Sequence, residues 1–284
     1  MPNEPATPVT LEASHIDVAL PDRSKKPLFG RPPLLGILHD VSLRLAPGEA
    51  VGVVGESGSG KSTLGRTLLR LWRPARGRIV FEGTDITDLA PEALRPLRAR
   101  MQMIFQDSQS ALNPRQTIGE ILALPFIAIA GLRPRAARER AHALLARVNL
   151  APEIAARYPH QLSGGQRQRV GIARAISLEP SFVVADEIVS GLDVSVQAQI
   201  LDLLRRLRAE SRMAMVFISH DLSVVRNVCD RVLVMQQGRI VEEARAAELF
   251  AQPKHPYTRT LLRAIPLPVV NPDWLARPEP DEGG

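Results

Sequence analysis

One glycine-rich run limits the fold of this chain more than any other feature: Gly55-Glu56-Ser57-Gly58-Ser59-Gly60-Lys61-Ser62. It fits the phosphate-loop pattern G-x-x-x-x-G-K-[ST] without a mismatch. The apolar run at 50–54 predicts a buried strand before the loop, and residues 62–71 predict a helix after it. Since a phosphate-binding loop requires this strand–loop–helix context, we predict an α/β fold built around a nucleotide site.

The residue types in this loop match the chemistry of phosphate binding. Its glycines permit a turn that points backbone N–H groups at phosphate oxygens. Lys61 can reach the β- and γ-phosphates, and the Ser62 hydroxyl can ligate magnesium. A chance glycine-rich turn is the alternative, which the flanking strand and helix disfavour.

A second candidate anion site lies at Leu162-Ser163-Gly164-Gly165-Gln166. Its serine can cap the helix that follows, and its two glycines let backbone N–H groups approach an anion closely. An ordinary helix cap is the alternative. Beside a complete phosphate loop, however, a second anion site favours a nucleotide held by a partner, so the chain would be half of a larger assembly.

Four polar residues stand where apolar strands end. The apolar run at 183–185 ends in Asp186, which can hold magnesium or its water, and Glu187, which can orient and deprotonate an attacking water. His220 follows another apolar run and can hydrogen-bond a γ-phosphate. Gln106 ends a third and can contact magnesium or the water. Surface acids, a histidine flanking a helix and a turn glutamine are the alternatives.

Composition limits the remaining possibilities. The 284 residues suit one large domain or one and a half, and no apolar run approaches the roughly 20 residues of a membrane-spanning helix. The N-terminal residues lack the pattern of a signal peptide. Cys229 is the only cysteine, which excludes an internal disulfide and a four-cysteine metal site. The charge of +6 comes from scattered arginines and aromatics are 4%, so we expect a cytosolic chain that binds no nucleic acid.

The spacing of apolar residues predicts the strands, helices and domains of the chain. Residues 9–20 and 37–54 predict strands of an N-terminal antiparallel β region, and 117–156 predict helices inserted into the α/β core, as a subdomain at about 107–178. Other predicted helices are 163–178, 194–211 and 222–228, and other predicted strands are 78–82, 101–106, 182–185, 214–219, 231–236 and 239–243. We expect the main domain at 1–252 and a C-terminal extension at 253–284.

Together these motifs resemble those of the ATP-binding-cassette ATPases, over about residues 9–250. The resemblance implies a P-loop NTPase core of that type that takes ATP and Mg²⁺, with Ser62, Gln106 and Asp186 as magnesium ligands. The implied sites are a phosphate loop of Gly55, Glu56, Ser57, Gly58, Ser59, Gly60, Lys61, Ser62 and Thr63, a Q-loop glutamine Gln106, a signature turn containing Ser163, Gly164, Gly165 and Gln166, a catalytic glutamate Glu187, a D-loop ending at Asp193 and a switch histidine His220. In this family two cassettes dimerise head to tail, and the signature turn of one closes over ATP held by the other.

Further segments resemble a narrower group, the oligopeptide, dipeptide and nickel permease ATPases. They are Ser110-Ala111-Leu112-Asn113-Pro114-Arg115, Val194-Ser195-Val196-Gln197-Ala198-Gln199 and His255-Pro256-Tyr257-Thr258-Arg259. This resemblance implies a peripheral subunit at the cytoplasmic face of the inner membrane that hydrolyses ATP to energise peptide import. Its partners would be transmembrane permease subunits, a second ATPase of the same or a related chain and, indirectly, a solute-binding protein. The alternatives are import of nickel or another solute, a soluble ATPase acting on nucleic acid or ribosomes, and a subunit of an exporter.

Three features depart from the family pattern. Ile188 and Val189 follow the catalytic glutamate where proline and threonine are usual, and Gly191 replaces an alanine. Leu20 stands where an aromatic residue would stack on adenine, and Phe29 is the other candidate for that contact. Adenine recognition is therefore where this chain departs most from the resemblance.

We expect Leu20→Tyr to tighten ATP binding about threefold to tenfold, because an aromatic stack contributes roughly 0.5–1.5 kcal/mol. Equilibrium titration of the wild type and the variant with ATP measures the change. An unchanged affinity in Leu20→Tyr, together with a large loss in Phe29→Ala, would contradict this assignment and give the stack to Phe29.

Overall fold

A computed structural model describes residues 8–22, 32–106 and 111–264, which contain ten β-strands and nine α-helices. The strands are β1 (Leu11–Pro21), β2 (Leu34–Leu45), β3 (Ala50–Val54), β4 (Arg76–Phe81), β5 (Thr84–Asp85), β6 (Met101–Ile104), β7 (Phe182–Asp186), β8 (Ala214–Ile218), β9 (Arg231–Gln236) and β10 (Arg239–Arg245). The helices are α1 (Lys61–Leu68), α2 (Pro91–Arg98), α3 (Ile118–Ala128), α4 (Pro134–Arg147), α5 (Gly164–Ile176), α6 (Val194–Ser211), α7 (Leu222–Val228), α8 (Ala246–Ala251) and α9 (Pro256–Arg263). Two short 3₁₀ helices, Pro152–Ala156 and Pro159–Gln161, precede α5.

A six-stranded sheet in the order β10-β9-β3-β8-β7-β6 carries the phosphate loop. Its inner strands pair in parallel, and β10 joins one edge antiparallel. Strand β3 is buried along its whole length: Val51 and Val53 belong to one apolar cluster, whereas Ala50 and Val54 belong to another. Because both faces of the strand are covered, its sequence is a continuous apolar run rather than an alternating one.

A second, antiparallel sheet has the order β2-β1-β4-β5. Its buried residues, such as Ile16 and Phe81, share an apolar cluster with Val53 of β3 and Leu64 of α1. The sheet therefore covers the face of the central sheet on which α1 lies, and this confirms the predicted N-terminal antiparallel region.

Helices α3 and α4 follow β6 in the chain and pack against each other. A capping box starts α3: the Thr117 hydroxyl accepts the N–H of Glu120, whose carboxylate accepts the N–H of Thr117. Leu122 of α3 belongs to the same apolar cluster as Val170 of α5 and Phe217 of β8. The helical segment thus shares a continuous core with the central sheet.

Most predicted elements are confirmed, with shifts at their ends. Helices α6 and α7 have the predicted bounds. The helix predicted at 62–71 instead ends at Leu68, and the strand predicted at 101–106 ends at Ile104, so Gln106 lies beyond it. Apolar periodicity does not predict α2, because this helix contains Pro96 and buries only Leu94. In the described ranges, none of the helices has the length and hydropathy that a membrane span requires.

Candidate functional site

The phosphate loop makes its turn between β3 and α1. Gly55 has a φ of 149° and Gly60, which caps α1, has a φ of 101°, both in the region that favours glycine. A Cβ added at Gly55 would lie 2.2 Å from the backbone oxygen of Met235. The glycine pattern in this part of the sequence is therefore a steric requirement of the turn.

Lys61 lies inside this loop and is only 5% exposed. Its Nζ donates to the backbone oxygens of Gly55 and Glu56, each at 2.8 Å. An ammonium has three protons, so these two bonds to described residues leave one for a ligand. Desolvation lowers the pKa of Lys61, whereas the carboxylates of Glu187 and Asp186 act to raise it. An anion bound beside Lys61 would offset the desolvation.

Asp186 and Ser62 meet at the end of β7. The Ser62 hydroxyl donates to Oδ1 of Asp186 at 2.9 Å, and Asp186 is 3% exposed. Burial raises the pKa of Asp186, and the hydrogen bond from Ser62 acts in the opposite direction. A buried carboxylate beside a hydroxyl is a pair of oxygen ligands that suits a hard cation, and a bound cation would favour the charged carboxylate.

Other groups in the loop are consistent with a phosphate ligand. The Ser59 hydroxyl is buried and has no hydrogen-bond partner among the described residues. A Cβ added at Gly58 would meet open space. The loop thus combines an unpaired hydroxyl, one remaining proton on Lys61 and open space at Gly58, and the residues present fit ATP with Mg²⁺.

Glu187, Gln106 and His220 come together beside this loop, although they lie far apart in the sequence. The Gln106 side-chain amide donates to Oε2 of Glu187 at 2.9 Å, and Nδ1 of His220 lies 3.7 Å from the same oxygen. Glu187 has a φ of 48°, and its N–H donates to the backbone oxygen of Ile218. Gln106 occupies only one acceptor site of this carboxylate, which therefore keeps lone pairs that can accept a proton from water.

The signature turn is a helix cap in this structure. Ser163 caps α5 in a capping box with Gln166, and the two N–H···O bonds measure 3.0 and 3.3 Å. The local geometry therefore matches the helix-cap alternative, and an anion-binding role for this turn remains a prediction. A Cβ at Gly165 would lie 2.7 Å from Cγ1 of Val196 in the first turn of α6, whereas one at Gly164 would lie 3.5 Å from Leu192.

Asp193 and Leu20 are two further residues that the sequence predicts to contact the nucleotide. Asp193 caps α6, and hydrogen bonds from the Ser195 hydroxyl and the Val196 N–H lower the pKa of Asp193. Leu20 lies at the end of β1 opposite Leu35, which is 52% exposed. Phe29 lies outside the described residues.

Sequence reasoning assigned no role to Tyr257, which the structure brings to the phosphate loop. The backbone N–H of Glu56 donates to the Tyr257 hydroxyl at 3.0 Å. The motif around Tyr257 was visible in the sequence, but a contact between residues so distant in the chain has no local signal.

The ABC transporter family matches residues 38–190, and the oligopeptide/dipeptide transporter C-terminal region matches residues 241–282. The chain therefore belongs to the ABC transporter family, and it has the ATP-binding ATPase cassette of that family. These matches confirm the resemblance that the motifs indicated.

Relatives with names in the peptide-import group cover most of the chain. A putative peptide import ATP-binding protein of Brucella ovis is 55% identical over 235 residues, which are 82% of this chain and 74% of that protein. The oligopeptide transport ATP-binding protein OppF of Escherichia coli is 45% identical over 262 residues, which are 92% of this chain and 78% of that protein.

Solved structures give the same fold. The ATP-binding cassette MJ0796, a dimer bound to ADP and phosphate, has 29% identity and a TM-score of 0.73, over 83% of this chain and 98% of that one. CbiO1 of Clostridium perfringens, part of the cbiONQ ABC transporter complex, has 26% identity and a TM-score of 0.74, over 86% of this chain and 91% of that one. The predicted cassette fold is confirmed.

We expect Gly165→Ala to destabilise the protein by about 1–3 kcal/mol, the range for forcing a methyl group into a packed site. The new methyl group would overlap Val196, so a Val196→Ala change in the same chain should restore part of the loss. Urea unfolding of the single and double variants measures both effects.

Gly164→Ala is the matched control, because its methyl group meets Leu192 only at ordinary van der Waals distance. It should leave the free energy of unfolding nearly unchanged. Equal losses at the two glycines would show that contact with Val196 is not what requires Gly165.

Proposed function

We propose that this chain is the ATP-hydrolysing subunit of an importer that moves peptides through separate membrane permease subunits. The observation that carries the proposal is the cluster in which Gln106 and His220 flank Glu187, next to Asp186 and the phosphate loop. The peptide class follows from the names of the relatives and from the C-terminal region. The subunit would work at the cytoplasmic face of the membrane.

In this proposal the protein groups divide the work on ATP. Lys61 and the loop N–H groups bind the phosphates, and Glu187 accepts a proton from the attacking water. Gln106 holds the carboxylate of Glu187 in place, and His220 lies where it can contact the γ-phosphate. Magnesium, held by Ser62, Asp186 and the Gln106 side-chain oxygen, would neutralise charge on the phosphate oxygens.

The signature turn would act on ATP bound by a second cassette. Its hydrogen bonds are local: Ser163 pairs with Gln166, and Arg167 donates to the backbone oxygen of Leu162. The N–H groups of Gly164 and Gly165, at the start of α5, then remain for a ligand from outside. The dimeric state of MJ0796 supports a two-cassette assembly.

An exposed apolar groove supports a permease partner. Leu71, Phe105 and Ile129 are 48%, 41% and 47% exposed and line one groove, with Arg98 and Arg174 at its sides. It lies between the central sheet and the helical segment and begins next to Gln106. In the assembled transporter a permease subunit would bury this surface, close to Gln106.

We expect Glu187→Gln to retain ATP binding while slowing turnover at least about 100-fold, because the amide cannot accept the proton from water. ATP binding and phosphate release, measured on the same preparation in the assembled transporter, separate the two effects. Lys61→Ala should instead weaken nucleotide binding, because Lys61 also contacts the phosphates of bound ATP.

Glu210→Gln provides the control, since Glu210 is an exposed carboxylate of α6 near surface arginines. This variant should turn over at the wild-type rate. Near-normal turnover in Glu187→Gln would overturn the role of Glu187 in hydrolysis.

We expect Ser163→Arg to block ATP-dependent association of two cassettes while each chain still binds nucleotide, because the longer cationic side chain would fill the space between the turn and the partner's ATP. Light scattering with and without ATP measures association, and a nucleotide titration measures binding.

Loss of a helix cap alone costs about 1 kcal/mol, so the comparison needs a variant with only that defect. Thr117→Ala removes the corresponding cap of α3 and should associate normally. Loss of nucleotide binding by the Ser163→Arg monomer would show that the turn serves its own chain's site.

A further inference from the structure

We propose that Tyr257 is a positioning residue for the phosphate loop. The Tyr257 hydroxyl ties the segment at 253–263, here called the tail clamp, to the peptide group between Gly55 and Glu56, and so keeps Lys61 in place for ATP. This inference rests on the proposed function, because it concerns the same nucleotide site. It gives the C-terminal segment a part in ATP binding beyond packing on the domain.

The peptide group between Gly55 and Glu56 is held from both sides. Its N–H, that of Glu56, donates to the Tyr257 hydroxyl at 3.0 Å, and its carbonyl oxygen, that of Gly55, accepts Nζ of Lys61 at 2.8 Å. A peptide group is planar and rigid, so displacement of the N–H side also moves the adjoining loop. The tyrosine thus acts on Lys61 through one backbone unit, without touching the nucleotide itself.

Burial and the N-terminal cap of α9 fix the position of the Tyr257 ring. Tyr257 is 9% exposed and belongs to the main apolar core, and Thr258 next to it is fully buried. His255 caps α9 and its Nδ1 accepts the N–H of Tyr257 at 3.2 Å. The first turn of α9 is therefore fixed, and the hydroxyl projects from it toward the loop.

Glu242 of β10 holds the beginning of the clamp in place. Its two carboxylate oxygens accept the backbone N–H groups of Lys254 and His255, at 2.8 and 2.9 Å. Burial acts to raise the pKa of Glu242, but the hydrogen bonds that it accepts from the clamp outweigh this and lower it. A continuous set of contacts therefore runs from β10 through Glu242, the clamp and Tyr257 to Glu56.

Removal of the Tyr257 hydroxyl distinguishes a positioning role from a role in packing alone. A phenylalanine at position 257 would fill the same apolar space, but it could not accept the Glu56 N–H. Without the hydroxyl, the Glu56 N–H loses the hydrogen bond that ties the loop to the clamp. The two roles therefore predict different behaviour for Tyr257→Phe.

The test is titration of the full chain with AMP-PNP and Mg²⁺ in a calorimeter, which reports affinity and the fraction of competent sites separately. We expect Tyr257→Phe to raise the dissociation constant about threefold to tenfold, the equivalent of one lost hydrogen bond, with the same number of sites. In the assembled transporter the KM for ATP should rise by a similar factor while kcat changes little.

Tyr158→Phe is the matched control, because Tyr158 is the only other tyrosine of the chain and stacks on His160. It should bind AMP-PNP as the wild type does. A second variant, Glu242→Gln, loosens the clamp without touching the loop and should raise the dissociation constant about twofold to threefold. The neighbouring Glu243→Gln, which loses its pairing with Arg231, should leave it unchanged.

An unchanged dissociation constant in Tyr257→Phe would overturn the inference, as would a loss of sites at unchanged affinity. If Tyr257→Phe does not fold, Glu242→Gln decides by the same criteria. A wild-type chain that binds no AMP-PNP would instead overturn the proposed function, so the two failures are distinguishable.

Discussion

The candidate site depends on the parallel pairing of β3, β8 and β7. Ile218 of β8 lies opposite both Val53 of β3 and Asp186 of β7, so the three strands end together at one edge of the sheet. The pairing continues past the strand ends, where Glu187 donates its N–H to Ile218. A register shift of one residue would turn Asp186 to the opposite face. Pairing of buried apolar strands thus brings together polar groups that are distant in the sequence.

Burial then sets the electrostatics at this edge. Desolvation disfavours the charged forms of Lys61 and Asp186, which lowers the pKa of the amine and raises that of the acid. The fold gives Lys61 and Asp186 hydrogen-bond partners, but it keeps both side chains largely out of contact with water. In the proposed function, nucleotide phosphates and a divalent cation would supply the charges that these two groups lack.

Much of this fold could be predicted because its signals are local. The apolar run of β3, the glycines after it and the long helix α6 each show their structure within a few residues. Helix α2 has no such signal, since Pro96 and a single buried Leu94 break the periodicity. Nor could a sequence pattern show that Glu242 accepts two N–H groups from the clamp, because that contact follows from tertiary packing. Motif resemblance implies the roles of the site residues, whereas the distances between them follow from how the strands and helices pack.

The contact between Gly165 and Val196 has a mechanical consequence. Because no atom larger than hydrogen fits between them, the first turns of α5 and α6 cannot slide past each other without separating. Two loops of different motifs, one ending at Ser163 and the other at Asp193, therefore lead into helix starts that lie in direct contact. A displacement that presses one of these helix starts toward the other would push directly on it.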